Sequence, residues 1–83
     1  MSKTIMGIQL QQRHDTSTDV QSLLTKYGCA IKTRIGVHEA PSDSCSEQGI
    51  IIVEFVDNAV KEVQEMEQAL SNIEGVIVRK MEF

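Results

Sequence analysis

The sequence has little that interrupts a fold. It contains one proline, five glycines and no internal repeat, which excludes a disordered linker and a collagen-like segment. No apolar run approaches the ~18 residues of a membrane span. The first ten residues carry one lysine and no small-residue cleavage site, so they do not read as a signal peptide. Glycine-rich phosphate motifs are missing, with neither GxGxxG nor a Walker sequence. Positive charge is also scarce: eight basic residues face twelve acidic ones, for a net charge of −4. The densest basic pairs, Lys32 with Arg34 and Arg79 with Lys80, sit in strand-like segments. Nucleic-acid binding needs a clustered basic face, so none is expected of this chain by itself, and no membrane partner either. Cysteine is limited to Cys29 and Cys45. Without a secretion signal these read as reduced thiols, and the expected compartment is the cytoplasm.

What is present is ordinary for a globular chain. Apolar residues make up 41% and charged residues 24% of 83 residues, the size and composition of one domain spanning 1–83. Residues 4–12 alternate, with Met6, Ile8 and Leu10 on one side and Ile5, Gly7 and Gln9 on the other, the period of a strand. A polar break follows. Thr16 to Asp19 resembles a capping box, and Val20, Leu23, Leu24 and Tyr27 recur at helical spacing. This predicts a helix over 18–27, ended by Gly28 in a left-handed conformation.

Residues 29–38 alternate again. Ile31, Thr33, Ile35 and Val37 share one face; Lys32, Arg34, Gly36 and His38 share the other. Residues 39–49 form a polar loop. Residues 50–56 are dominated by β-branched residues, with Ile51, Val53 and Phe55 on one side and Ile50, Ile52, Glu54 and Val56 on the other. Asp57 or Asn58 is the expected cap of a second helix, whose stripe is Val63, Met66, Leu70 and Ile73 and whose stop is Gly75. Glu62, Glu65 and Glu67 read as its solvated face rather than a metal cluster. Residues 76–83 close the chain as a strand, with Val76 and Val78 opposite Ile77, Met81 and Phe83.

The order strand, helix, strand, strand, helix, strand predicts an α+β, ferredoxin-like βαββαβ sandwich: a four-stranded antiparallel sheet, order 4-1-3-2, with two helices on one face. The other face is apolar as well, since Ile50 to Val53 is β-branched at every position. A sheet apolar on both sides needs two covers, and two short helices supply one. A homo-oligomer, dimer or tetramer, joined through the open sheet face or an edge, is therefore expected; a protein partner is the other way to cover it.

The pattern resembles the ACT-like domains, ferredoxin-fold modules that regulate enzymes and transcription by binding small ligands. Within them it is most similar to the short stand-alone family of iron-only hydrogenase system regulators. The likeness rests on the second-strand segment Ile31-Lys32-Thr33-Arg34-Ile35-Gly36-Val37, the Ile/Val-rich third strand, and the closing Ile73-Glu74-Gly75-Val76 with Ile77-Val78-Arg79-Lys80. It implies a regulatory or sensor module. A second likeness is to the ligand-sensing domain of nickel-responsive regulators, tetramers of the same fold with His-x-His on the second strand and a Cys several residues later. Here His38 and Cys45 match, whereas Gly36 stands at the first histidine.

Candidate sites follow. The resemblance to ACT-like domains, which bind amino acids where a strand-to-helix loop meets a neighbouring subunit near a glycine, implies a ligand site at the 12–17 loop, where Arg13 suits a carboxylate; it makes Arg13, His14 and Gly36 the candidate ligand-binding residues. His38 and Cys45, with Glu39 or Asp43, are the candidate soft-metal ligands, nickel or another transition metal. No resident cofactor is otherwise expected. Cys29, after Gly28, reads as a small buried hydrophobe. No catalytic constellation is visible, so the expectation is a regulatory or sensor module rather than an enzyme. The alternatives are a metal-sensing module and a structural protein–protein interaction domain without a small ligand.

Overall fold

The computed structural model describes residues 3–10, 14–38 and 49–83. The elements are β1 (Thr4–Leu10), α1 (His14–Lys26), a 3-10 turn (Gly28–Ala30), β2 (Ile31–His38), β3 (Gly49–Phe55), α2 (Val60–Ser71) and β4 (Val76–Glu82). One four-stranded sheet runs β2-β3-β1-β4, antiparallel throughout. This is the expected order, with β1 and β3 inside and β2 and β4 at the edges.

Alternation assigns the two faces. In β1, Met6 and Ile8 are fully buried and Leu10 nearly so; in β3 the buried residues are Val53 and Phe55. They meet Val20 and Leu24 of α1 and Val63, Met66 and Leu70 of α2 in one core. Both helices thus lie on the same face, as right-handed crossovers require. Val76 and Val78 extend that layer onto β4, opposite Leu10 and Ile8.

Five local expectations are corrected. Helix α1 starts at His14, not residue 18, so Thr16 to Asp19 lies within it rather than capping it. Short polar residues that look like a break are tolerated in a first turn, where the N–H groups have no intrahelical partners anyway. Gly28 is not a left-handed stop; among the described glycines only Gly75 has a positive φ, 87°. Instead the chain tightens into the 3-10 turn, with Ala30 N–H donating to the Tyr27 carbonyl at 2.9 Å. That turn buries Ala30 and leaves Cys29 exposed, against the expectation of a buried thiol.

Strand β2 begins at Ile31, and a bulge falls between Ile31 and Thr33. The extra residue reverses the phase of the strand. Ile31 pairs with Phe55 and packs on the core, whereas Thr33 and Ile35 pair with Glu54 and Ile52 on the opposite face. The four residues grouped together by simple alternation are thereby split. Last, α2 is capped by neither Asp57 nor Asn58. Its N-cap is Ala59, without a side-chain hydrogen bond. Asn58 takes φ 65° in the preceding turn, a conformation that asparagine tolerates better than most side chains.

Candidate functional site

Antiparallel pairing brings several chain ends to one end of the sheet. Gly49, the first residue of β3, pairs with Leu10 on one side and His38 on the other. The last residues of β1 and β2 therefore flank it, about 10 Å apart at two strand spacings. His14, four positions beyond Leu10, opens α1. The backbone thus places His14 and His38 in the same region, at the ends of elements that feed the segments 11–13 and 39–48. Arg13 and Cys45 lie outside the described residues, as do Glu39 and Asp43.

Gly36 lies within β2, paired with Ile51. A Cβ added there would meet nothing within 4 Å, so packing inside the subunit does not demand glycine. Arg34, the other notable residue of that segment, is engaged: its Nη2 donates to Gln21 Oε1 at 2.8 Å, tying the edge strand to α1.

At the opposite end of the sheet a hollow of about 320 Å³ lies between the end of α1 and the start of α2, lined by Lys26, Tyr27, Cys29, Asp57 and Glu62 among others. Sequence reasoning did not select it. The Tyr27 hydroxyl donates to Glu65 at 3.2 Å, and the Lys26 ammonium stands 5.4 Å from the Tyr27 ring centre. Among the described residues no group of three or more His, Cys, Asp or Glu is placed to hold a metal.

The α2 glutamates are more engaged than a plain solvated face. Glu67 pairs with Lys80 at 3.0 Å, and Lys80 also meets Glu82 at 3.3 Å. The hydrogen bonds that the Lys80 ammonium donates to Glu67 and then Glu82 raise its pKa above the ordinary lysine value. Glu65 lies 3.9 Å from Lys61, an exposed helical i,i+4 pair.

The largest feature is the open sheet face. Ile35, Ile50, Ile52 and Ile77 are 37–53% exposed, Met81 56% and Phe83 71%. Glu54, partnered by Lys3 at 3.6 Å, and Arg79 are the charges among them. Between the apolar side chains runs a groove of about 310 Å³ whose walls include Ile5, Ile50, Ile52 and Met81 and whose floor is Gly7. Every one of these positions follows from strand period and register.

No family model matches the chain, and no curated protein matches it. Solved structures do. An uncharacterized protein of Thermotoga maritima, TM1266, superposes with a TM-score of 0.81 at 21% identity, covering 100% of this chain and 99% of that one. The fold is ferredoxin-like. The ACT domain of a GTP pyrophosphokinase from Chlorobium tepidum matches with a TM-score of 0.62 at 15% identity, covering 98% of this chain and 97% of that chain. CPII of Thiomonas intermedia K12, a nitrogen regulatory PII-like protein described bound to ADP, AMP and bicarbonate, gives 0.65 at 16%, covering 100% and 91%. Two further fold neighbours are described as dimeric proteins of unknown function. At these identities the likeness establishes the ferredoxin-like, ACT-like fold and nothing finer. No described helix is long and apolar enough to cross a membrane.

Proposed function

We propose that this chain is a small ACT-like regulatory module of the iron-only hydrogenase system regulator type, acting by binding rather than catalysis, in which a second copy covers the open sheet face. The observation that carries the association is the exposure of six large apolar side chains, Ile35, Ile50, Ile52, Ile77, Met81 and Phe83, on β2, β3, β4 and the chain end beside it. A contiguous apolar patch of that extent marks an interaction surface. The regulatory reading is supported by the fold neighbours, which include an ACT domain and a PII-like regulator. The candidate ligand region is the end of the sheet where β1, β2 and α1 converge, with His14 and His38 at the element ends.

Two measurements test this. Light scattering at micromolar concentration is expected to give a dimer or tetramer; a monomer overturns the association. A thermal-shift panel on metal-stripped protein, with nickel, iron, zinc, cobalt and the common amino acids, tests the sensor reading. A ligand at a hundred times its dissociation constant adds ~2.7 kcal/mol, which raises Tm by about ten degrees or more in a domain of this size. An amino-acid response supports the ACT-like reading. A metal response lost in His38→Ala makes the chain a metal sensor instead. An oligomer indifferent to every ligand tried points to a structural interaction domain.

A further inference from the structure

Gly7 occupies the middle of β1, an inner strand. Glycine in a strand interior is costly, because it leaves nothing to pack and loses more backbone freedom than any other residue. Nothing inside the subunit asks for it. Its φ is not positive. A Cβ added there would meet only the Arg79 carbonyl oxygen, at 3.9 Å, an ordinary van der Waals contact. What the glycine does create is the floor of the groove in the open face. The walls of that groove stand in solvent, Met81 most of all at 56% exposure, so a small molecule lying there would keep one side in water. A flat apolar cover suits it better than a free ligand.

The register says which cover fits. The central row of the open face is Ile35, Ile52, Gly7 and Arg79, one residue from each strand in sheet order. Ile52, directly beside Gly7, projects from the same face at 38% exposure. A protruding isoleucine thus lies next to a dent, on the midline between the two inner strands. Two copies stacked face to face about a two-fold axis parallel to the strands, running between β1 and β3, set Ile52 of each over Gly7 of the other. A two-fold axis perpendicular to the strands instead sets Gly7 on Gly7 and leaves both dents empty. Symmetric interfaces are self-complementary in this pairwise manner. Six large apolar side chains on this face are 37–71% exposed, a patch of the extent that marks an association surface, and stacking two such faces removes both patches from water at once.

We propose that Gly7 is the socket and Ile52 the knob of a face-to-face, two-fold pairing of this chain. The proposal rests on the open face being a self-association surface and adds its axis and its specifying residues. The charges on this face are few: Glu54 is already partnered by Lys3, and Arg79, which pairs with Gly7 and lines the groove, is on the edge strand β4, where a long side chain can lay its stem on the apolar surface and turn its charged end to solvent.

The test is sedimentation equilibrium on the wild type, Gly7→Val, Ile52→Ala and the exchanged double variant Gly7→Ile with Ile52→Gly. Circular dichroism melts confirm that each is folded. Gly7→Val fills both sockets and Ile52→Ala empties both, so each weakens the dimer at least ~10-fold. The exchanged variant puts the knob on β1 and the socket on β3, and recovers most of the loss. That recovery is a result that a merely apolar surface would not give. An unchanged dissociation constant in Gly7→Val, or no recovery on exchange, overturns the socket while leaving self-association intact. A monomeric wild type overturns both. Should Gly7→Val fail to fold, Ile52→Ala decides alone: a dimer as tight as the wild type refutes the pairing.

Discussion

The same strands present two faces of similar residue type to different surroundings. On one face Met6, Ile8, Val53 and Phe55 are at most 1% exposed beneath α1 and α2. On the other, Ile35, Ile50, Ile52 and Ile77 face outward, and Gly7 lies where an apolar side chain would complete the layer. β-branched residues suit both faces equally as strand formers. The difference lies in what covers them. Apolar contact on the helix face stabilises the subunit, whereas apolar surface on the open face contributes mainly when another surface removes it from water. On the proposed association, fold stability and pairing fall to alternate residues of the same strands.

Substitutions that separate the two faces sharpen this comparison. The largest effect is expected on the clad face. Phe55→Ala leaves a cavity in the core and costs about 3–5 kcal/mol, a large share of the total stability of so small a domain. Chemical denaturation should show the midpoint falling steeply. A change under ~1 kcal/mol would mean that the two faces are not energetically distinct. Next comes the open face. Met81→Glu introduces a charge among Ile5, Ile52 and Phe83; burying it unpaired between two copies is prohibitive. Light scattering should show monomer, with far-UV circular dichroism unchanged; an intact oligomer would place the interface elsewhere.

The smallest effect belongs to the rim of the clad face, where Lys80 is held by Glu67 and Glu82. Its pKa is raised by those hydrogen bonds, so the pairing contributes fully below the ordinary lysine value and is lost as pH rises through the higher, folded-state value. In Glu67→Gln the decline of Tm with alkaline pH should be slightly shallower than in the wild type. Parallel curves would show that the pair contributes nothing measurable, as many surface ion pairs do.

Much of this architecture was readable residue by residue. Alternation assigned the correct faces to β1, β3 and β4, and helical spacing picked out Val20, Leu24, Val63, Met66 and Leu70 as core. Reading failed where one residue changes the phase or a polar run hides a helix. The bulge at Ile31 and Thr33 carries no sequence mark, because it is set by how β2 must enter from the 3-10 turn to pair with β3. The exposed Cys29 follows from the same turn. Of the candidate site residues, His14 and His38 fall at element ends in one region and Gly36 on an open stretch of the edge strand. Arg13 and Cys45 lie outside the described residues. For Gly7 the signal available in the sequence is a glycine that interrupts an alternating strand segment.

Periodicity and β-branched runs determined the elements, their order and the residues that face the helices, because those properties are local and repeat along the chain; the stop expected at Gly75 falls instead at Ser71, with Asn72 as the C-cap, and Gly75 at φ 87° turns the chain into β4. Register, the bulge in β2, the partners of Arg34 and Lys80, and the juxtaposition of Gly7 with Ile52 were decided only by the tertiary structure. They depend on which strand lies beside which, and neighbours across a sheet are separated by tens of residues that no local pattern can count.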